Sequence, residues 1–316
     1  MKHQNISIFI PHAGCPHDCA FCNQRVISGA QHPPSPDEVT AILQNLPPIP
    51  CETVRELAFF GGSFTAIDNN YRHELLKAAQ PFLKSGAVSS IRCSARPDYI
   101  SNEILDDLWD YGVRTIELGA QSMHNDVLNA NRRGHTAQDI INSSEKIKQH
   151  GFSLGLQMMT GLYKSTFEKD YQTALSLAQL NPDTMRIYPT VVLKGTYLAA
   201  LVESGEYNPP SIDESLPLLA DLLELFEERG IKVIRAGLHA SRDIEENFVA
   251  GCYHPSLREL SEQERWRRRI MVMIQKNPDE QTIKISAAKT EISKIAGFKR
   301  RNIEYFAEMG YIIKCI

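Results

Sequence analysis

The sequence has no apolar run long enough to cross a membrane, and its first residues lack the apolar core of a secretory signal. It also has no excess of basic residues, because 34 Lys and Arg stand against 38 Asp and Glu, a net charge of −4. Proteins that grip a long phosphate backbone usually carry a basic balance or a basic face. We therefore expect a cytoplasmic protein with no membrane partner. Two short basic segments, at 265–269 and 299–301, leave contact with RNA open.

A second closely spaced pair of cysteines is absent too. The chain has seven cysteines, and four of them are isolated in the sequence: Cys51, Cys93, Cys252 and Cys315. An odd number of cysteines without a secretory signal argues against a disulfide framework. No internal repeat or low-complexity segment indicates a solenoid or a disordered chain. With 316 residues and 42% hydrophobic content, the sequence predicts one large α/β domain, or a domain with an appendage.

The other three cysteines stand together in a predicted loop after the first apolar segment, as Cys15-x3-Cys19-x2-Cys22. Iron–sulfur clusters are held by cysteine thiolates, usually four. Three close thiols can bind three irons of a four-iron cluster and leave the fourth iron open to an outside ligand. Zinc bound by these thiols with His12 or His17 is one alternative. A ferredoxin-like carrier is another, although it would need a fourth suitably spaced cysteine.

Short apolar segments alternate with helical patterns through the middle of the chain, which predicts a parallel sheet covered by helices. About six βα units make an incomplete barrel rather than the closed eight-unit form. The pattern predicts strands at 6–10, 56–60, 90–94, 115–118, 153–159, 184–188 and 232–235. It predicts helices at 36–45, 71–80, 103–111, 136–149, 167–179 and 216–228. We predict a barrel over 1–240 and, over 241–316, an extension with a charged helix through Arg269, a strand at 282–285 and a helix at 289–306.

The cysteine spacing, with Phe21 before the last cysteine, resembles the signature of the radical S-adenosylmethionine (SAM) enzymes. The order of the later motifs resembles the branch that contains the radical-SAM half of the elongator catalytic subunit and, more distantly, oxygen-independent coproporphyrinogen oxidase. The resemblance covers about residues 1–240. It implies an enzyme with a partial (β/α)6 barrel, a 4Fe-4S cluster, SAM and an external electron donor. In this superfamily the open iron binds SAM, and an electron cleaves SAM to methionine and a 5′-deoxyadenosyl radical.

The resemblance also implies roles for individual residues. The cluster ligands would be Cys15, Cys19 and Cys22. The SAM-binding residues would be Gly61 and Gly62 for the amino group, Ser94 and Gln121 for the carboxylate or ribose, Arg133 for the carboxylate, Gln157 for the ribose and Phe21 for the adenine. For the substrate we predict side chains at the open mouth of the barrel: Arg96, Asp98, Tyr188, Arg235, His239 and His254.

Three functions remain open on the sequence. The main prediction is a radical SAM enzyme that acts on a small nucleobase-like molecule such as queuine, as a lyase that releases aminomethyl-deazaguanine. The alternatives are a radical SAM tRNA-modifying enzyme and a non-enzymatic metal-binding interaction module. The elongator subunit has a long acetyltransferase domain after its radical half, and this sequence has no room for one. We therefore do not expect acetyl-CoA-dependent tRNA carboxymethylation by this chain alone.

Overall fold

A computed structural model describes residues 2–11, 13–15, 18–30, 32–49 and 52–316. Its centre is a sheet of seven parallel strands in the order β1-β2-β3-β4-β5-β6-β8, curled into part of a barrel. These strands are β1 (Lys2–Ile10), β2 (Thr53–Gly61), β3 (Ser90–Ala95), β4 (Val113–Gln121), β5 (Ser153–Thr160), β6 (Thr184–Pro189) and β8 (Lys232–Ala236). Two further strands, β7 (Val191–Leu193) and β9 (Phe248–Gly251), form a small antiparallel pair.

Helices connect the strands and cover the outer face of the sheet. In the barrel part they are α1 (Gln24–Ser28), α2 (Pro36–Gln44), α3 (Asn69–Lys84), α4 (Asn102–Asp110), α5 (Asn125–Ala130), α6 (Ala137–Gln149), α7 (Phe167–Gln179), α8 (Tyr197–Glu203), α9 (Ile212–Glu228) and α10 (Arg242–Asn247). The C-terminal part contains α11 (Leu257–Lys276), β10 (Thr282–Ile285), α12 (Lys289–Ala296), α13 (Arg301–Glu308) and β11 (Ile312–Cys315). No helix in the described ranges has both the length and the apolar character needed to span a membrane.

Local sequence explains where several helices begin. Ser35, Thr136 and Ser211 each accept a hydrogen bond from the third residue of the following helix, whose acidic side chain bonds back to the cap. This reciprocal arrangement satisfies two backbone N–H groups that a helix start leaves free. The central strands are buried on both faces, as expected for parallel strands between an inner cavity and outer helices.

The hydrophobic core has two parts that matter for the site. The larger part lies between the sheet and the helices, includes residues from all seven strands of the sheet and reaches the start of α11 at Leu257. The smaller part lies between the rest of α11 and the C-terminal elements: Trp266, Ile270, Ile274, Ile283, Ile285, Ile295 and Phe306. The long helix α11 therefore joins the barrel to the C-terminal elements, and it packs against both α9 and α12.

The predicted partial barrel is confirmed, because all seven predicted strands are present in one parallel sheet. The single helix predicted at 289–306 is wrong. Residues 297–300 interrupt it, with a positive φ at Gly297, Lys299 and Arg300, so that two helices form instead. The strands β7 and β9 were not predicted. The domain boundary at residue 240 stays a prediction, since β9 lies beyond it and pairs with β7 before it.

Candidate active site

Two glycines let the cysteine loop lie directly on the end of β2. Gly14 has a φ of 69°, and an added Cβ there would overlap the carbonyl oxygen of Ser63. A Cβ on Gly62 would overlap the carbonyl oxygen of Ala13. The loop is held in place by the Ser63 N–H, which donates to Ala13 O at 3.2 Å. Glycine is needed at both positions because one backbone passes closely over the other.

The three predicted cluster ligands lie near enough to one another to affect each other's ionisation. Burial, and then the neighbouring Cys19, raise the pKa of Cys15. Burial, followed by Cys19 and Cys15, raises the pKa of Cys22 to about 12. Without a metal, Cys15 and Cys22 therefore resist ionisation. A positive charge placed beside them would stabilise their thiolates and lower both pKa values.

The arrangement of these thiols bears on the zinc alternative. In the ranges that the structure describes, no three Cys, His, Asp or Glu side chains are grouped to hold a metal ion. A single zinc ion draws all its ligands into one tetrahedron, whereas each thiolate of a four-iron cluster binds a different iron. Three separate thiols suit the second arrangement, in which each binds its own iron. His12 and His17, the nitrogen ligands considered for zinc, lie outside the described residues.

Arg133 contacts the cysteine loop. Its Nη1 lies 3.2 Å from the Sγ of Cys19, and its Nη2 donates to the carbonyl of Gly119 at 2.6 Å. Its Nε and the Oε1 of Gln121 are buried polar atoms with no hydrogen-bond partner among the described residues. A donor and an acceptor left unpaired beside three thiols fit a polar ligand such as the amino-acid part of SAM. Arg133 was predicted to pair with the SAM carboxylate, and its present contacts place it beside Cys19.

Arg96, which was predicted to bind the substrate, is buried and bonded to neighbouring protein groups. It is 4% exposed, and its guanidinium forms two bonds to the carboxylate of Asp98, at 2.9 and 3.0 Å. Its Nη2 also donates to the backbone carbonyl of Arg133 at 2.5 Å. Arg96 is therefore bonded to Asp98 and to the Arg133 backbone, and its Nη1 lies 4.0 Å from the Sγ of Cys19. Neither Arg96 nor Asp98 belongs to the wall of the cavity described below.

His135 remains neutral near these arginines. Burial, and then the charges of Arg133 and Arg96, lower its pKa to about 3. Its Nε2 lies 3.3 Å from the carbonyl of Ala120, close to the end of β4. A neutral imidazole that donates to this carbonyl can fix the loop that carries Arg133 without adding a third positive charge.

A cavity of about 490 Å³ opens beside the cysteine loop, inside the curl of the sheet. Nine predicted site residues lie in its wall: Phe21, Cys22, Gly61, Ser94, Gln121, Gln157, Tyr188, Arg235 and His239. The wall does not include the seven others, Cys15, Cys19, Gly62, Arg96, Asp98, Arg133 and His254. Burial, followed by the charge of Arg235, lowers the pKa of His239. His254 lies away from the cavity wall and packs edge-on against Phe298.

A buried charge network that the sequence analysis missed forms the floor of this cavity. Glu117 is 1% exposed and binds Arg186 through two contacts, of 2.5 and 2.9 Å. It also accepts from Gln157 Nε2 at 3.2 Å, and Arg92 Nη1 lies 3.4 Å away. The sequence does indicate which way Arg186 points. Residues two apart on a strand share a face, so Arg186 must face the same side as Tyr188. Gln24, which donates to the carbonyl of Gly61, was missed as well.

With this geometry established, comparison with known proteins identifies the class. The family model described as the Radical SAM superfamily matches residues 9–175, and the one described as the Radical_SAM C-terminal domain matches residues 182–268. The chain belongs to the radical SAM superfamily. It is therefore an enzyme of the class that uses a 4Fe-4S cluster and SAM, as predicted.

Two relatives show which branch of the superfamily this chain is similar to. The chain is 30% identical over 227 residues to Elongator complex protein 3 of Mus musculus, covering 65% of this chain and 41% of that protein. It is 28% identical over 185 residues to tRNA uridine(34) acetyltransferase of Methanocaldococcus jannaschii, covering 52% of this chain and 34% of that protein. The chain thus spans only about a third to two fifths of the length of these relatives.

Two solved structures share the fold. The archaeal Methanocaldococcus infernus Elp3 with an N-terminal deletion has a TM-score of 0.64 at 19% identity, over 88% of this chain and 64% of that one. Coproporphyrinogen III oxidase from Escherichia coli, titled a radical SAM enzyme, has a TM-score of 0.53 at 20% identity, over 72% of this chain and 53% of that one. The predicted resemblance to the elongator branch is confirmed, and the assignment of individual site residues stays a prediction.

Proposed function

We propose that this protein is a radical SAM enzyme that modifies a nucleobase of tRNA in the barrel cavity. The observation that carries the proposal is the single cavity in which Cys22, the end of β2 at Gly61 and the polar strand residues Gln121 and Gln157 share one wall. The relatives named above support tRNA as the substrate, since one is a tRNA uridine(34) acetyltransferase. This reverses the order of the sequence-based predictions, in which a free small base came first.

Each group of residues has a proposed role in this cavity. Cys15, Cys19 and Cys22 hold the cluster, which with SAM supplies the radical chemistry of the family. Arg133 offers its unpaired Nε to the SAM carboxylate and balances the charge of the Cys19 thiolate. Phe21 presents an apolar surface between Cys22 and Met159. Gln121 and Gln157 offer hydrogen bonds to the ribose.

The far wall would bind the substrate base. Arg186 is held by Glu117, and its guanidinium lies 5.3 Å from the ring centre of Phe60. A flat, cationic and aromatic surface of this kind suits a planar base, which can stack and accept hydrogen bonds at the same time. Tyr188, Arg235 and His239 complete the wall. An external electron donor in the cytoplasm is part of the proposal.

The test is anaerobic formation of 5′-deoxyadenosine by the reconstituted protein with dithionite and SAM. We expect bulk tRNA from a modification-deficient strain to stimulate this formation well above the rate without substrate, and tRNA pre-treated with ribonuclease to give no stimulation. Equal rates with and without intact tRNA would contradict the tRNA proposal.

A free nucleobase such as queuine remains a second candidate, because one specific observation favours it. The four arginines of the segment 265–269 are paired with acidic side chains, which leaves this segment little charge for RNA. Stimulation by free queuine, with release of aminomethyl-deazaguanine and no response to tRNA, would establish this candidate in place of the first.

A further inference from the structure

The second basic segment differs from the first in its partners. Lys299, Arg300 and Arg301 are all exposed, and none has an acidic partner within salt-bridge distance among the described residues. The Lys299 ammonium lies 5.5 Å from the ring centre of the adjacent Phe298. Three consecutive cations without counter-charges create a local positive field on a chain whose net charge is −4. We call residues 297–301 the basic loop.

The basic loop is firmly anchored to α11. Asn302 is completely buried, and its Nδ2 donates to the carbonyl of Gln263 at 2.9 Å and to that of Ile295 at 3.2 Å. Gly297 packs so closely on Gln263 that an added Cβ would lie 2.8 Å from its Cγ. The cations thus extend from a backbone that is held on both sides, which lowers the entropy cost of ordering them on a ligand.

A series of contacts links the basic loop to the cavity wall. Phe298 packs edge-on against His254, with ring centres 5.6 Å apart. Three residues later, Leu257 packs on Gly237 at the end of β8. The next residues after Gly237, Leu238 and His239, belong to the cavity wall. A polymer held by the basic loop could therefore reach the cavity with a neighbouring unit.

The fold around the loop is one that suits a nucleic-acid backbone. Strand β10, helix α12, the basic loop, helix α13 and strand β11 follow one another, and β10 pairs in parallel with β11. In KH modules a four-residue loop with glycine at both ends clamps a single-stranded backbone of four nucleotides. Here the four residues are Gly297, Phe298, Lys299 and Arg300. Arg300 stands at the second glycine position and has a φ of 63°, in the region that glycine favours.

We propose that the basic loop is an RNA-binding site that holds the ribose–phosphate backbone of a single-stranded tRNA segment while a base of the same molecule enters the barrel. The inference rests on the proposed tRNA function. RNA is favoured over a lipid surface because the cations are few and anchored, because contacts link the basic loop to the cavity wall, and because Tyr305 lies exposed on α13, the helix that begins at Arg301. Aromatic rings among cations are typical of surfaces that bind single strands.

The experiment measures the affinity of the full-length protein for labelled tRNA by fluorescence anisotropy at several salt concentrations. We expect the triple variant Lys299→Ala, Arg300→Ala, Arg301→Ala to bind at least about tenfold more weakly than the original protein. The slope of log affinity against log salt should fall by about two, because each phosphate contact contributes about 0.7 to 0.9. A triple change to Gln at the same positions, with a thermal unfolding curve, separates lost charge from lost folding.

A matched control removes the same charge elsewhere. Lys77 and Lys84 on α3, and Arg229 after α9, are exposed at the opposite side of the sheet from the cavity. Replacing these three by alanine should leave tRNA affinity within about twofold, so that a similar loss in both triple variants would overturn the proposal.

Other outcomes also decide the proposal. Unchanged tRNA affinity in the basic-loop variants would overturn it while leaving the proposed tRNA function intact. Absence of tRNA binding by the original protein, or binding to phosphatidylserine vesicles that the variants lose in place of tRNA binding, would overturn it as well. The proposed function has its own readout, the stimulation of 5′-deoxyadenosine formation by tRNA, so the two failures can be told apart.

Discussion

The barrel and the basic loop use charge in opposite ways. In the barrel, Glu117 is almost completely buried and has Arg186, Arg92 and Gln157 around it. In the basic loop, three cations lie exposed without counter-charges. A buried charge without partners would cost several kcal/mol, whereas an exposed one is stabilised by water. The barrel therefore uses its charges to fix the geometry of the cavity, and the role that we propose for the basic loop is to present its charges to a ligand.

The arginine-rich segment 265–269 shows that a basic run in the sequence does not reveal whether its charges are paired within the protein or left unpaired. Arg268 and Arg269 pair with Asp221 and Glu224 of the neighbouring helix α9, and Arg267 pairs within its own helix. Exposed pairs of this kind are typically worth 0.2–1 kcal/mol. Their effect here is to attach α11 to the barrel and to neutralise its surface.

The largest change is expected from removing a cluster ligand of the barrel. Cys19→Ala should lose the cluster and all formation of 5′-deoxyadenosine while the chain still folds, because only two thiols would remain. Cys252→Ala, which removes a buried thiol outside the loop, is the control and should retain its iron. Iron content and the visible absorbance of the reconstituted proteins measure the difference. Full iron content in Cys19→Ala would contradict the ligand assignment.

Removing the buried acid should cost more stability than removing a surface acid. We expect Glu117→Ala to lower the free energy of unfolding by about 3–5 kcal/mol, since Arg186 and Arg92 would be left in a buried site. Glu246→Ala removes the partner of the exposed Arg242 and should cost less than about 1 kcal/mol. Urea unfolding of both variants provides the comparison. Equal losses would mean that the Glu117 network does not carry the stability of the barrel.

A buried carboxyl makes the stability of the barrel depend on pH. Burial raises the pKa of Asp170 from its ordinary value of 3.8 to about 6, although Ser165 and the Gly161 N–H bond to it. The folded state therefore holds this proton more tightly than the unfolded state. Its contribution is complete below about pH 4 and is lost as the pH rises through about 6, by up to about 3 kcal/mol. Asp170→Asn should flatten this part of the curve of unfolding free energy against pH, and an unchanged curve would refute the assignment.

A smaller effect is expected for SAM binding. Arg133→Ala should weaken the affinity of the cluster-loaded protein for SAM by about tenfold to a hundredfold, the loss of one charge-assisted contact of about 1.5–3 kcal/mol. Arg132→Ala is the control, because Arg132 is exposed and lies over the ring of Tyr197 instead. Calorimetric titration under anaerobic conditions measures both. Unchanged SAM affinity in Arg133→Ala would remove that role.

The smallest effect is expected from the basic loop on stability. The triple alanine variant of Lys299, Arg300 and Arg301 should keep the free energy of unfolding within about 0.5 kcal/mol, because exposed side chains without partners contribute little. We expect no gain in stability from the positive φ angles at Lys299 and Arg300, since alanine at a positive φ is strained as well. A loss of several kcal/mol would show that these cations support the fold and would weaken the contrast with the barrel.

Much of the barrel could be predicted because its signals are local. Each strand is a short apolar segment, every barrel helix except α5 has a capping side chain, and three thiols stand within eight residues of sequence. The Glu117–Arg186 pair could not be predicted in the same way, because its partners are 69 residues apart and meet only through the register of β4, β5 and β6. The contact of Arg96 with the backbone carbonyl of Arg133 was not predicted for a similar reason, since these residues are 37 apart in the sequence.

The sequence by itself determined the βα alternation and the cysteine motif, whose resemblance indicated the radical SAM class. Hydrophobic periodicity and close residue spacing can both be read directly along the chain. The tertiary structure alone decided which charges are neutralised. An arginine is paired when an acidic side chain lies within about 4 Å of it, and it is available to a ligand when none does. Which of these applies depends on residues far away in the chain. For this reason two basic segments that look alike in the sequence, 265–269 and 299–301, differ in the folded protein.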